Sequence, residues 1–205
     1  MQVREHEGNV WKGVVAGLVA GLVASWTMNQ FQAAWSRMAA GFDKPHGAQS
    51  MQPSEGPNLD SSGESEPKQA MVQTQSAEKQ SPQEKEDQDD ATVKTAKAIS
   101  EGIFGHKLTE SEKRPAGAVV HYAFGTVTGG MYGAMAELTP KVTSGAGVPF
   151  GAVFWLTADE MAVPLLGLAK GPTEYPVSTH AYSLASHLVY GLTTELSRRA
   201  IRQVL

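Results

Sequence analysis

Apolar residues dominate four stretches of this 205-residue chain, and a long polar stretch divides the first from the other three. The clearest runs from 115 to 137, PAGAVVHYAFGTVTGGMYGAMAE. Every fourth residue there gives Gly117, His121, Gly125, Gly129, Gly133 and Glu137. Residues four apart share a helix face, so the helix predicted here carries one stripe almost free of side chains. Each glycine costs a helix in water roughly 1 kcal/mol against alanine. In a bilayer the same stripe lets a second helix approach backbone to backbone. From 116 to 136 the single group that can charge near neutral pH is His121, and about 20 apolar residues cross the hydrocarbon core. The pattern predicts a transmembrane helix with one buried imidazole.

The first apolar stretch, within an N-terminal segment over 1–42, begins at Trp11 and repeats small residues at Gly13, Gly17 and Gly21, a second close-packing face. It runs too far to be a cleaved signal core, so it reads as a retained membrane helix with Trp11 and Trp35 near the interfaces. The third, over 147–169, carries Asp159 and Glu160 in its middle and Pro164 shortly after, which predicts a kink or an early end. The fourth covers 177–198 and contains His180, Ser183, His187, Gly191 and Glu195. His187-Leu-Val-Tyr-Gly191 echoes His121-Tyr-Ala-Phe-Gly125, and Gly147-Val-Pro-Phe-Gly151 echoes Gly13-Val-Val-Ala-Gly17. The expected fold is therefore all-α: an integral membrane bundle of four transmembrane helices, with the echoes suggesting a twofold repeat of a helix pair.

Composition changes the picture in the polar stretch. Residues 43–114 hold 14 of the 21 acidic and 9 of the 17 basic residues, so the modest mean hydropathy of the whole describes neither part. Residues 43–90 hold almost no large apolar side chain and are expected to be a disordered tether. Asp90 caps a predicted interfacial helix within 91–114, which Gly105 stops. There is no cysteine, which excludes disulfides, thiolate metal sites and cysteine nucleophiles. A net charge of −4 without a basic patch gives no support to nucleic-acid binding. Arg4, Lys12, Lys141, Arg198, Arg199 and Arg202 fall on one side of the predicted topology, which places both termini in the cytoplasm.

Several strings in order resemble one family. Ala136-Glu-Leu-Thr-Pro-Lys141, Gly147-x-x-x-Gly151-Ala, Pro164-Leu-Leu-Gly-Leu168, and His187-Leu-Val-Tyr with Glu195 and Arg198-Arg199 are similar to the YagU-like family of bacterial inner-membrane proteins, a domain of unknown function. The similarity covers roughly 10–40 and 95–203 and is best in the second half. The resemblance implies a multi-pass location in the bacterial inner membrane and a stress-related role. It implies no reaction and no catalytic residue, and the tether and the Asp159-Glu160 pair depart from it.

Candidate chemistry sits in one half of the predicted bundle, where His121, Asp159, His187, His180 and Asn29 fall at comparable depth. Three readings follow. The histidines bond Asp159, Asn29 or backbone carbonyls and pin the bundle. Alternatively, His and Asp handle protons or a small ion, with Glu137 and Glu195 continuing a relay. In the third reading, His121 and His187 hold haem or a metal, although no CxxCH or HExxH supports it. A lipid or quinone cleft remains a further alternative. Asp159 and Glu160, adjacent on a helix, are expected to point about 100° apart and not to share a substrate. No hydrolase, nucleotide or dinucleotide motif is present, so a non-enzymatic protein is expected. The glycines, Gly191 included, are expected to pack helices within the bundle or to form faces for a lipid, a homo-oligomer or a larger membrane complex.

Overall fold

The computed structural model describes residues 9–39 and 89–205, and every regular element among them is helical. The five helices are α1 (Val10–Ala39), α2 (Ala91–Phe104), α3 (Glu110–Leu138), α4 (Val148–Trp155) and α5 (Val177–Arg202). The predicted tether, apart from its last two residues, lies outside the described residues. α1 packs between α3 and α5, α4 lies along α5, and α2 lies along α3.

Local chemistry sets several boundaries. Asp90 accepts a 2.8 Å bond from the Val93 N–H and starts α2, and Gly105, at φ 62°, ends it. The helix thus ends at the glycine predicted to stop it, within the 91–114 segment. α3 begins five residues before Pro115, because Glu112 reaches back to the Thr109 N–H at 2.8 Å and closes the first turn. Pro115 then lies inside the helix rather than at its start.

Glycine brings the helices together. A Cβ on Gly129 would stand 2.5 Å from both the Gly17 carbonyl oxygen and the Gly21 Cα, and one on Gly13 would stand 2.6 Å from the Gly133 oxygen. Gly21 meets Gly125 in the same antiparallel contact. α4 and α5 repeat the device, with Gly191 seated between Gly147 and Gly151. The register differs from the sequence echo, however. The echo aligns Gly191 with Gly125, yet it is Gly133 that fits between Gly13 and Gly17. That is a displacement of about 12 Å, eight residues along the helix. Gly117 serves a different partner, packing on Thr92 and Val93 of α2.

Polarity is arranged with the large apolar side chains outside. Val19, Leu22 and Trp26 of α1, Val119, Val127 and Met131 of α3, Val153 of α4 and Leu196 of α5 are all exposed. Inside lie Ala16, Ala20 and Ala24 with Ser25, Gln32, Ser186, His187, Thr194 and Glu195. By length and composition one described helix, over Val10–Met38, is long and apolar enough to cross a membrane. A signal sequence near the N-terminus passes the same test. The inward glycines and polar groups of α3 and α5 lower their average hydropathy, and α4 is followed by short segments.

Candidate functional site

The polar interior is divided into two clusters by a layer of rings. Phe150 stacks on Tyr132 with centroids 4.3 Å apart, and Phe154 meets Tyr190 at 5.3 Å and the His187 edge at 5.2 Å. Tyr190 satisfies its hydroxyl on the Gly125 carbonyl at 2.5 Å. Ala24 and Met28 complete this layer.

On one side of it, α4 passes into a π-helical turn, Leu156–Ala162, and then a last α turn, Val163–Leu165. Pro164 explains the change. Its ring collides with the carbonyl four residues back in a regular helix and it offers no N–H. The chain widens, so that the Val163 N–H bonds the Ala158 oxygen, five residues back. Gly167, at φ 69°, then ends the segment, with Leu168 N–H on the Val163 oxygen at 3.0 Å. Pro164 therefore produces an early end preceded by a π turn.

Asp159 and Glu160 lie in this turn and meet different partners. Both reach α5. Asp159 accepts from the Ser183 hydroxyl through Oδ2 and lies 3.7 Å from His187 Nδ1. Glu160 lies 2.6 Å from His180 Nδ1, while His180 Nε2 lies 2.9 Å from the Pro172 carbonyl. Both nitrogens of His180 thus face acceptors, an arrangement satisfied by an imidazolium against a carboxylate. His187, 1% exposed, places Nδ1 2.9 Å from the Ser183 carbonyl, so that nitrogen carries the proton.

Asp159, Glu160, His180 and His121 line one cleft of about 290 Å³ between α2, α3, the π turn and α5. Asn29 does not line it; its amide donates to the Tyr122 hydroxyl at 3.0 Å and ties α1 to α3. His187 stands behind Asp159, outside the lining. The symmetric placement of His121 and His187 expected from the echo is absent: one faces the cleft, the other the ring layer. Among the described residues no group of three or more His, Asp or Glu has a geometry that could hold a metal ion.

Beyond the rings, Glu195 is fully buried and Arg198 nearly so. Glu195 accepts from Arg198 Nε at 2.8 Å, Arg198 Nη2 at 3.1 Å, Arg199 Nε at 2.5 Å and the Tyr132 hydroxyl at 3.0 Å. Glu137 holds Arg202 through two bonds of 2.7 and 3.1 Å. The relay expected to run from the histidines to Glu137 and Glu195 is thus interrupted by Phe150, Phe154 and Tyr190, and both glutamates are engaged by arginines. The i, i+3 and i, i+4 spacings from Glu195 to Arg198 and Arg199 are the sequence signal for this cluster. The contacts of Gly13, Gly17, Gly21, Gly125, Gly129, Gly133 and Gly191 are made within the chain, so docking a partner on those faces would require opening the bundle.

These features define a helical bundle with a carboxylate–imidazole cleft at a π-helical turn. Residues 105–196 match a family model described as "Protein of unknown function (DUF1440)". The match spans α3, the π turn and most of α5, the part in which the resemblance to the YagU-like family is best. Neither a curated protein nor a solved structure matches the chain significantly.

Proposed function

We propose that this is a non-enzymatic, multi-pass protein of the bacterial inner membrane, of the YagU-like kind, whose π-turn cleft loads a proton or a small cation. The observation that carries the reading is the inverted polarity: ionised groups gather inside, under apolar side chains that face outward on α1, α3, α4 and α5. Buried ionisable groups under a lipid-facing surface are costly and are kept for ion or proton handling or for structural pairing. The Glu195–Arg198 cluster fits the pairing role, with its carboxylate fully engaged. The cleft fits the loading role, since its carboxylates and imidazoles meet a cavity.

Lys12, Lys141, Arg198, Arg199 and Arg202 favour the cytoplasm for the end opposite the cleft. Loading then takes place from the outer side, and release inward requires the Phe150–Phe154–Tyr190 layer to part. Proteoliposomes with an internal pH dye test this. The wild type should dissipate an imposed pH gradient faster than empty vesicles, and Asp159→Asn should not. Equal rates for all three at every pH would remove the proposal.

A further inference from the structure

The acceptor-rich pole of the cleft is more specific than a proton site requires. Asp159 uses Oδ2 for Ser183, and Glu160 uses Oε1 for His180; among the described residues the second oxygen of each accepts no hydrogen bond. Thr179, also in the lining, is 8% exposed, yet its buried Oγ1 has no partner among the described residues. The buried Nε2 of His121 is likewise unpartnered. A threonine on a helix ordinarily returns its hydroxyl bond to its own backbone, and a buried polar atom left unpaired costs about 1–3 kcal/mol. Asp159 and Glu160 thus bring two free acceptor oxygens to the wall of the cleft, with Thr179 and His121 beside them. Much of the remaining wall is apolar, with Val120, Phe124, Val163 and Leu166 among its residues, alongside Thr92, Thr95 and Tyr175. The volume of about 290 Å³ suits a guest of roughly ten water-sized groups.

Charge selects among guests. His180 and Glu160 neutralise one another, which leaves Asp159 as the unmatched charge at the pole. Its nearest imidazole, His187, directs Nδ1 to a carbonyl. Lys170, exposed in the same lining, makes no ion pair among the described residues and opposes a cation weakly from the solvent side. A donor-bearing cation with an apolar body suits this lining: its N–H groups meet Asp159 and Glu160, and its hydrocarbon part covers Phe124 and Leu166.

We propose that the cleft binds a small lipophilic amine in its ammonium form, the head on Asp159 and Glu160 and the body against Val120, Phe124, Val163 and Leu166. This rests on the cation-loading reading above and names the class of cation.

The test uses the full chain in nanodiscs near pH 7 and three probes of one shape: benzylamine, benzyl alcohol and benzoate, followed by saturation-transfer NMR. Benzylamine should bind, benzyl alcohol more weakly by tenfold or more, and benzoate not at all. Asp159→Asn should weaken the amine by about tenfold or more, the scale of one charged hydrogen bond. Thr179→Val, which keeps shape and all charges, should weaken it several-fold, and Lys170→Ala should tighten it. Thermal unfolding of each variant identifies those that fold as the wild type does, and only these are compared. Equal binding of amine and alcohol, or amine binding unchanged in both folded Asp159→Asn and Thr179→Val, would overturn the assignment. So would the absence of amine binding to the folded wild type. Amine binding without proton flux would leave this assignment standing and remove the proton reading; flux without amine binding would do the reverse.

Discussion

Glu195 is fully buried and engages two arginines and a tyrosine. Removing one partner of such a pair leaves a buried charge uncompensated, which costs about 3–5 kcal/mol. Glu195→Ala should therefore lower stability by that amount in detergent unfolding, and a loss below about 1 kcal/mol would show the cluster to be solvated. Glu112 makes a smaller, pH-dependent contribution at the start of α3. Bonds from the Thr109 N–H and hydroxyl, with His106 nearby, hold its carboxyl below the ordinary value of 4.5. A depressed folded-state pKa gives stabilisation that is complete above the unfolded value and lost as pH falls through the folded one. Protection of the amides in the first turn of α3, relative to their intrinsic exchange rates, should thus fall as pH drops below about 4.5. Glu112→Gln should already exchange faster at neutral pH and lose the acid dependence; an unchanged profile would contradict the role.

At the scale of elements, helix contact depends on glycines that have no room to yield. Gly129 meets backbone on both sides, so Gly129→Ala must force α1 and α3 apart and should cost about 1–3 kcal/mol. Gly102 in α2 has nothing within 4 Å of an added Cβ, so Gly102→Ala should stabilise by up to about 1 kcal/mol. Thermal melts of the two variants should move in opposite directions. The glycine spacings were legible in the sequence, as were the Asp90 cap and the Gly105 stop, because each is a local signal. The partners were not. A four-residue step exceeds one helical turn by about 40°, so a six-member stripe winds around the helix. Gly117 consequently meets α2, Gly125 to Gly133 meet α1, and Glu137 meets Arg202. The π turn was hidden for a related reason. Pro164 announces a disturbance, but whether the chain kinks, stops or widens depends on the neighbour that receives Asp159 and Glu160, and α5 provides it.

For the whole molecule, one apolar helix was evident by composition, while the outward apolar faces of α3, α4 and α5 emerged only once their glycine and polar faces were seen to be internal. Averaged hydropathy cannot separate a lipid-facing half from a packed half. The account stands or falls on whether those faces meet lipid, and the cysteine-free chain permits a direct measurement. Single cysteines at Ser144, Thr173 and Val153 can be probed with a membrane-impermeant maleimide on sealed right-side-out and inverted membrane vesicles. Ser144→Cys should react only in inverted vesicles and Thr173→Cys only in right-side-out ones, while Val153→Cys reacts in neither until detergent is added. Labelling of both loops from one side, or ready labelling of Val153→Cys in intact vesicles, would contradict the multi-pass bundle.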